Sequence, residues 1–329
     1  MSYLLRPIGW VSSSLKNIQQ APRQGIEELE PAEIIVLEKY RDGLKGLWPE
    51  QEVILLTWLD LANREILQVH PRGDKNIPLC GVFATRSPHR PNPIGLHQVK
   101  ILKVFSDRLV VHPLEVIDRT PVIDIKPVLS REDKAGLGIF LPFERVKEVQ
   151  LISHLAWQRG LLPGFSGNVS LRWQEKVLIT KSKSFKAKLR AEDLVCFDLK
   201  EKRVLTPNQP SSELGMHVAI YANQPKAKAI LHTHPPHLNG LDSKQKILEL
   251  DLVEAKIFAP LVGFVSSQPA GSKKLALAVG RKSKEFQVIV LEKHGLVVWG
   301  DNLQECLALS EEIDNLAYLA GLPIRDRNK

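Results

Sequence analysis

Two short apolar runs that each lead to histidine constrain this chain more than any other feature. The run at 227–231 is followed directly by His232 and His234, and the run at 286–291 leads to His294. Such short runs predict buried strands, and side chains at i and i+2 of a strand lie on one face. Three neutral imidazoles with a fourth position open for water or substrate are usual ligands of catalytic zinc. Each histidine alone would be an ordinary core or surface residue, but the three together predict a metal site.

Length and composition are those of an ordinary globular protein. The 329 residues exceed what one hydrophobic core usually serves, which predicts two domains. No apolar run reaches the roughly 18 residues of a membrane span, and the first residues lack the features of a secretory signal. Cys80, Cys196 and Cys306 lie far apart without a CxxC pair, which disfavours a disulfide framework and a thiolate zinc site. These features predict a cytoplasmic protein with no membrane partner.

The net charge of +8 is unevenly distributed along the chain. Residues 1–150 hold 20 Lys and Arg against 19 Asp and Glu, and residues 151–329 hold 25 against 18. Any basic surface that meets nucleic acid or phosphate therefore lies mainly in the second half. The basic residues are densest at Lys181, Lys183, Lys186, Lys188 and Arg190. A solvated face and a ligand patch both remain open for that run.

The first half predicts a small all-β barrel. Short apolar or alternating runs broken by Pro, Gly and Asp are typical of strands, and closely spaced strands favour a barrel or a curled sheet. The predicted strands are 4–11, 53–58, 81–85, 96–102 and 109–112. Residues 130–142 are charged and contain glycine, which is typical of a linker.

The second half predicts an α/β layered domain, in which helices cover a sheet. Residues 143–159 carry apolar side chains at helical spacing with charges between them. Further helices are predicted at 211–221 and 302–319, and strands at 177–180, 229–234 and 286–291. The expected architecture is thus two domains, a barrel at 1–138 and a layered α/β domain at 139–329.

Four segments of the second half resemble the class II aldolase/adducin family in order and spacing. They are Gly164-Phe165-Ser166-Gly167-Asn168-Val169-Ser170, Pro210-Ser211-Ser212-Glu213, His232-Thr233-His234-Pro235 and Lys293-His294-Gly295-Leu296. The resemblance implies that His232, His234 and His294 bind zinc or another divalent metal, and that Glu213 is the catalytic acid/base. It also implies a site for a substrate phosphate, with the candidates Gly167, Asn168, Ser182, Ser211 and Ser212.

The chemistry of such a site is consistent with these residue types. Breaking a C–C bond beside a carbonyl creates an enediolate, whose charge a bound zinc stabilises as a Lewis acid. A carboxylate beside the metal can move the proton at the reacting carbon. Hydroxyl and amide groups supply neutral donors to a phosphate dianion. In place of the Ser-Gly loop common in the family, this chain has Lys181-Ser182-Lys183-Ser184, which removes a glycine where backbone approaches an anion closely.

A second signature, 81–96, reads Gly-Val-Phe-Ala-Thr-Arg-Ser-Pro-His-Arg-Pro-Asn-Pro-Ile-Gly-Leu. It resembles the TsaA/TrmO family of β-barrel methyltransferases, with further matches at 22–24, 41–44, 70–72 and 118–127. The resemblance implies S-adenosylmethionine as the cofactor and N6-methylation of a modified adenosine in tRNA. The implied cofactor-binding residues are Pro22, Arg23, Gln24, Arg86, Arg90, Asp118, Thr120 and Pro121.

Together the resemblances predict a bifunctional enzyme, a tRNA methyltransferase fused to a zinc-dependent lyase of a small carbonyl or phosphate substrate. In one alternative, the second domain is an aldolase or dehydratase and the barrel only binds a small molecule or mediates dimerisation. In another, the chain is an RNA-binding protein with an inactive aldolase-like scaffold. Both families tend to oligomerise, which implies a homo-oligomer.

Overall fold

The computed structural model describes residues 4–20, 29–129 and 135–322, without the side chain of Arg72. The chain forms two compact units, Met1–Leu129 and Ser130–Lys329. The predicted domain boundary after residue 138 stays a prediction, although Leu137, just before it, packs in the core of the second unit.

Within the described part of the first unit, six strands close into an antiparallel barrel with the order β1-β2-β7-β6-β3-β8. Its core consists of apolar side chains at alternate positions of these strands, such as Val53, Leu55, Val99 and Ile101, as expected where one face of a strand is buried. The predicted small barrel is confirmed. The strands of this unit are β1 Gly9–Ser12, β2 Ala32–Val36, β3 Glu52–Trp58, β4 Gln68–Val69, β5 Cys80–Gly81, β6 Ile94–Val104, β7 Arg108–His112 and β8 Pro121–Pro127.

Two predicted strands of this unit differ from the structure. The strand predicted at 81–85 is wrong: the short strand β5 ends at Gly81, and Val82–Ala84 form a 3-10 turn. The guanidinium of Arg90 donates to the carbonyls of Val82 and Thr85, so these acceptors are satisfied without a neighbouring strand. The strand predicted at 4–11 begins only at Gly9, after Pro7, which has no N–H to give to a sheet.

In the described part of the second unit, eight strands form one sheet with the order β12-β11-β10-β9-β13-β16-β15-β14. All neighbours pair antiparallel except β14 and β15. The strands are β9 Asn168–Trp173, β10 Lys176–Thr180, β11 Leu194–Asp198, β12 Arg203–Val204, β13 Ala229–Thr233, β14 Val262–Val265, β15 Val288–Leu291 and β16 Gly295–Gly300. The α-helices are α1 Phe143–Gln158, α2 Leu214–Asn223, α3 Pro236–Gly240, α4 Val253–Phe258, α5 Lys273–Lys282 and α6 Leu303–Gly321.

Helices cover both faces of this sheet and produce two cores. Apolar residues of α1 and α6 pack in one core with strand residues such as Leu231. Residues of α2 and α5 pack in the other core with strand residues such as Ile230. Because neighbours in a strand face opposite ways, residues 230, 232 and 234 point toward the side of the sheet that α2 covers. This arrangement confirms the predicted α/β layered domain and brings the start of α2 near the histidines. None of the helices within 4–20, 29–129 and 135–322 has the length and apolar character needed to span a membrane.

Candidate functional site

Three histidines from neighbouring parts of the sheet converge at one point. His232 lies in β13, His234 follows the end of that strand, and His294 lies in the tight turn between β15 and β16. The Nε2 atoms of His232 and His234 are 3.2 Å apart. One ring nitrogen from each histidine lies within 4.8 Å of those of the other two, which is within reach of a shared tetrahedral ion.

The surroundings of these rings keep lone pairs available for a cation. His232 Nδ1 lies 3.0 Å from the carbonyl oxygen of Leu296; since a carbonyl can only accept, this bond places the hydrogen on Nδ1 and leaves Nε2 with its lone pair. Burial lowers the pKa of His232 well below its usual value, and burial and the charge of His294 lower that of His234 to about 4. Within the described chain, the buried Nδ1 of His294 has no hydrogen-bond partner. The cluster therefore fits a divalent metal ion, which needs neutral imidazoles.

Glu213 is buried in the residue before α2 and lies close enough to His294 for the two side chains to interact electrostatically. The backbone N–H of Gly271 donates to its Oε1 at 2.8 Å. Burial raises the pKa of the Glu213 carboxyl, while the Gly271 hydrogen bond and the charge of His294 oppose that rise. A carboxyl group with a raised pKa can both give and take a proton near neutral pH.

Two loops bring three of the predicted phosphate ligands together. The Ser212 N–H donates to Ser182 Oγ at 3.2 Å, and Ser182 Oγ in turn donates to the Pro210 carbonyl. The backbone N–H of Ser211 donates to the Thr180 carbonyl. Lys183, next to Ser182, has a φ of 58°, a left-handed conformation that a residue other than glycine adopts at a cost. Ser182, Ser211 and Ser212 are thus adjacent, although Ser182 is far from the others in sequence.

The other two predicted phosphate ligands lie at the start of β9. Asn168 pairs in register with His232 of β13 and is almost completely buried. Gly167 has a φ of 68°, and a Cβ there would lie 2.5 Å from the carbonyl oxygen of His232, so only glycine fits. Thr180 joins these residues to the serine loops, since its Oγ1 accepts from the N–H of Val169 and its carbonyl accepts from Ser211.

The basic run at 181–190 does not form a single surface. Lys181 pairs with Asp193 at 2.7 Å, and Arg190 pairs with the same carboxylate at 3.3 Å. Lys186 is 1% exposed and donates to the carbonyls of Ser184 and Phe165; burial lowers its pKa to about 8 against the opposing charge of Asp193. Lys183 and Lys188 are exposed, and for them the ligand patch stays a prediction beside the solvated face.

In the first unit, the predicted cofactor residues lie in several places. Pro22, Arg23 and Gln24 lie outside the described residues. Asp118 accepts from the N–H of Ser13 and pairs with Lys16 at 2.9 Å, and the Lys16 hydrogen bond lowers the pKa of the Asp118 carboxyl.

The remaining four cofactor candidates of this unit are Arg86, Arg90, Thr120 and Pro121. Thr120 is buried and donates to the Ile117 carbonyl, and Pro121 begins β8. Arg90 is held by its own loop, as described above. Arg86 acts electrostatically on Glu115. The structure thus keeps 118–121 together beside β1 and leaves the arginines on a separate loop.

Several polar residues that support these sites were not predicted from the sequence. His217 in α2 contacts Asn168 Oδ1 and Ser170 Oγ; its position four residues after Glu213, on the same helical face, was the signal that could have found it. Gly271, the partner of Glu213, carries no comparable signal. In the barrel, His97 Nε2 lies 2.9 Å from Thr57 Oγ1 and its Nδ1 lies 2.9 Å from Glu115 Oε1. This trio, in which Thr57 and His97 are buried and Glu115 is partly exposed, was not predicted either.

Comparison with known families gives one match for each unit. Residues 147–320 match the model of the class II aldolase and adducin N-terminal domain. Residues 10–134 match the model of the tRNA-methyltransferase O N-terminal domain. The two matches follow one another along the chain without overlap.

Individual relatives show the same division. The L-fuculose phosphate aldolase of Methanococcus vannielii is 36% identical over 174 residues, which are 53% of this chain and 94% of that protein. An S-adenosyl-L-methionine-binding protein of Archaeoglobus fulgidus is 46% identical over 123 residues, which are 37% of this chain and 87% of that protein. A longer A. fulgidus protein with a similar name is 46% identical over 132 residues, and this chain spans 36% of its length.

Each relative is thus similar to one unit of the chain. The match to the class II aldolase family covers more than half of the residues of this chain. The barrel is 46% identical to the A. fulgidus protein of which this chain covers 87%, which shows a family relationship for the first unit as well. The chain belongs to both the class II aldolase and adducin family, through its second unit, and the tRNA-methyltransferase O family, through its first.

Proposed function

We propose that the second unit catalyses the zinc-dependent aldol cleavage or condensation of a small, phosphorylated carbonyl substrate. We also propose that the first unit transfers a methyl group from S-adenosylmethionine to N6 of a modified adenosine in tRNA. The observation that carries the first proposal is the convergence of His232, His234 and His294 beside the buried carboxyl group of Glu213.

The three histidines would hold the metal through neutral ring nitrogens. When bound, zinc supplies a Lewis acid that stabilises the negative charge of an enediolate. The hydrogen bond between His232 Nδ1 and the Leu296 carbonyl fixes the orientation of that ring, because the second nitrogen of a ligand histidine determines where the first one points.

Glu213 would move the proton at the reacting carbon. It is buried, so water does not compete for its carboxyl group, and the Gly271 N–H holds one of its oxygens. The second oxygen is left for proton transfer. In the cleavage direction it takes the proton from the substrate hydroxyl or returns one to the enediolate carbon, and in condensation it acts in the reverse sense.

The loops around Ser182 and Ser211 would bind the phosphate group of the substrate. Ser211, Ser212 and the amide of Asn168 are neutral hydrogen-bond donors, which suit a phosphate dianion. Ser182 would join them by turning its hydroxyl hydrogen from the Pro210 carbonyl to the phosphate. Gly167 lets the backbone pass close to His232, and so keeps the proposed phosphate and metal sites beside one another.

The methyltransferase proposal is supported by the similarity of the barrel to S-adenosyl-L-methionine-binding proteins. Its acceptor is proposed from the tRNA-methyltransferase family match alone, since the near-neutral charge of residues 1–150 gives little long-range attraction to RNA. The cytoplasm as compartment and a homo-oligomer as assembly belong to the same proposal.

The experiment for the lyase is an aldol cleavage assay on the full zinc-loaded chain with a panel of ketose 1-phosphates and their unphosphorylated counterparts. We expect cleavage of at least one phosphate ester, and a rate about 10²–10⁴-fold lower for Glu213→Gln. Equal rates for wild type and variant would contradict the role of Glu213. No cleavage of any substrate by the wild type would favour the alternative of an inactive scaffold.

A further inference from the structure

A buried chain of hydrogen bonds runs behind Asn168. Tyr221 Oη lies 2.8 Å from Ser170 Oγ, and Ser170 Oγ lies 2.6 Å from His217 Nδ1. The other ring nitrogen of His217, Nε2, contacts Asn168 Oδ1. Ser170 and His217 are fully buried and Tyr221 is 3% exposed, so water does not supply alternative partners. The four side chains form one connected network, which we call the Asn168 relay.

The donors and acceptors of the Asn168 relay give it one direction. Within the described residues, Ser170 Oγ is the only hydrogen-bond partner of the Tyr221 hydroxyl, so Tyr221 must donate to avoid a buried hydrogen without an acceptor. Ser170 then uses its own hydrogen to donate to His217 Nδ1. A neutral imidazole carries a single N–H, so this hydrogen is on Nε2 and goes to Asn168 Oδ1.

Burial keeps His217 and Tyr221 in the protonation states that this order of donors and acceptors requires. It lowers the pKa of His217 to about 3, so the ring is neutral at physiological pH and has one donor and one acceptor nitrogen. Burial is also the main reason why the pKa of the Tyr221 hydroxyl is raised, although the Ser170 hydrogen bond opposes it. The hydroxyl therefore remains a donor.

The relay determines which end of the Asn168 amide is available to a ligand. Its carbonyl oxygen is occupied by His217, and among the described residues its Nδ2 makes no hydrogen bond. The amide N–H groups are the end that can donate to an anion, whereas a flipped amide would present its carbonyl oxygen and repel a phosphate.

We propose that Tyr221, Ser170 and His217 are positioning residues that hold the Asn168 amide with its N–H groups toward the substrate phosphate. This inference rests on the proposed phosphate site. It assigns a function to the helix that follows Glu213, since His217 and Tyr221 lie on one face of α2. The same helix thus begins beside the catalytic carboxyl group and orients a phosphate ligand one turn later.

The first test is a measurement of the tautomer of His217, and it requires no activity. Nitrogen NMR of the full chain with 15N-labelled histidine, assigned with a His217→Gln sample, shows which ring nitrogen carries the hydrogen. We expect the hydrogen on Nε2 in the wild type and an increased share on Nδ1 in Tyr221→Phe, where Ser170 becomes free to accept from the ring. A hydrogen on Nδ1 in the wild type overturns the proposal.

The second test measures the binding of inorganic phosphate to the same samples by calorimetry. We expect Tyr221→Phe to bind phosphate about tenfold more weakly, as for the loss of one hydrogen bond, with unchanged zinc content and an unchanged KM for an unphosphorylated ketose. Tyr318→Phe is the matched control, because Tyr318 is 48% exposed and contacts the ring of His237 instead.

The possible results distinguish the positioning role of the relay from the existence of the phosphate site. Equal phosphate binding by wild type and Tyr221→Phe overturns the positioning role while the phosphate site stands. Absence of phosphate binding by the wild type overturns the phosphate site itself, and with it the role of the relay. If Tyr221→Phe does not fold, the wild-type tautomer and His217→Gln, which we expect to weaken phosphate binding similarly, decide the question.

Discussion

At the scale of single residues, Glu213 combines a stability cost with a proposed chemical role. Its carboxyl group is removed from water, and one backbone N–H from Gly271 replaces part of its hydration. Burial disfavours the charged form and raises the pKa of the group. A residue that is retained at such a cost is a candidate for function, because the same environment prepares it for proton transfer.

We predict that Glu213→Gln stabilises the metal-free protein at neutral pH. The wild-type folded state binds its proton more tightly than the unfolded state, whose pKa is near 4.5. Raising the pH above 4.5 therefore ionises the unfolded state first and lowers the free energy of unfolding of the wild type until the folded pKa is passed. The advantage of the variant should be absent at low pH and constant at high pH, as measured by urea denaturation of chelator-treated samples.

The control for this experiment is Glu249→Gln, since Glu249 is exposed. Its free energy of unfolding should stay within about 0.5 kcal/mol of the wild-type value, as is usual for a surface substitution. An advantage of Glu213→Gln that is greatest at low pH and declines as the pH rises would contradict the account, because it would mean that the folded state favours the carboxylate.

Single residues were predictable from the sequence where their spacing carried the information. His232 and His234 were found from strand alternation, and the structure brings them within 4.8 Å of His294. Lys186 was not distinguishable from its exposed neighbours, because its burial depends on the carbonyls of Ser184 and Phe165. Gly271 contributes only a backbone N–H, which every residue type except proline has.

At the scale of elements, close contacts between neighbouring strands depend on small residues. In the barrel, Gly95 of β6 lies opposite Thr57 of β3. A Cβ at Gly95 would overlap Thr57 Oγ1 and would lie 2.5 Å from His97 Nε2. These two atoms are hydrogen-bonded to each other, and the other ring nitrogen of His97 is hydrogen-bonded to Glu115. Neither side chain can therefore move aside without breaking one of these hydrogen bonds.

We predict that Gly95→Ala lowers the free energy of unfolding by about 1–3 kcal/mol, the usual cost of overpacking a filled interior. The change is measured by urea denaturation of the full chain, monitored with a spectroscopic signal that reports on the unfolding of the first unit alone. Gly43→Ala is the matched control in the same unit, because a Cβ at Gly43 meets nothing within 4 Å. Equal stability of the two variants would show that the Thr57–His97–Glu115 trio has room to adjust.

Elements were predictable where one face is buried over several residues. The strands at 53–58 and 109–112 lie within β3 and β7, and the helix at 143–159 agrees with α1 to within one residue. The segment 81–85 failed because its apolar residues occur in a turn that Arg90 completes. That contact spans several residues of sequence and depends on a side-chain conformation, so no local pattern reveals it.

At the scale of the whole molecule, each unit has its own hydrophobic core and its own family match. The barrel encloses one core, and the eight-stranded sheet separates two more. Two domains of these types were predictable, because the apolar pattern changes from short strands to alternating strands and helices. The identity of the carbonyl substrate was not, because substrate shape is set by loops whose conformations the sequence does not encode locally.

The proposed lyase requires a metal site that belongs to the second unit and does not depend on the first. The measurement that tests it most directly is the zinc content of the desalted full chain, for wild type, His234→Ala and His237→Ala, with S-adenosylmethionine binding measured on the same samples. His237 is the control histidine, since it pairs with Asp314 at 2.8 Å and is not part of the cluster. We predict one zinc per chain in wild type and His237→Ala, little in His234→Ala, and equal cofactor binding in all three. Zinc-free wild type, or full zinc content in His234→Ala, would contradict the account.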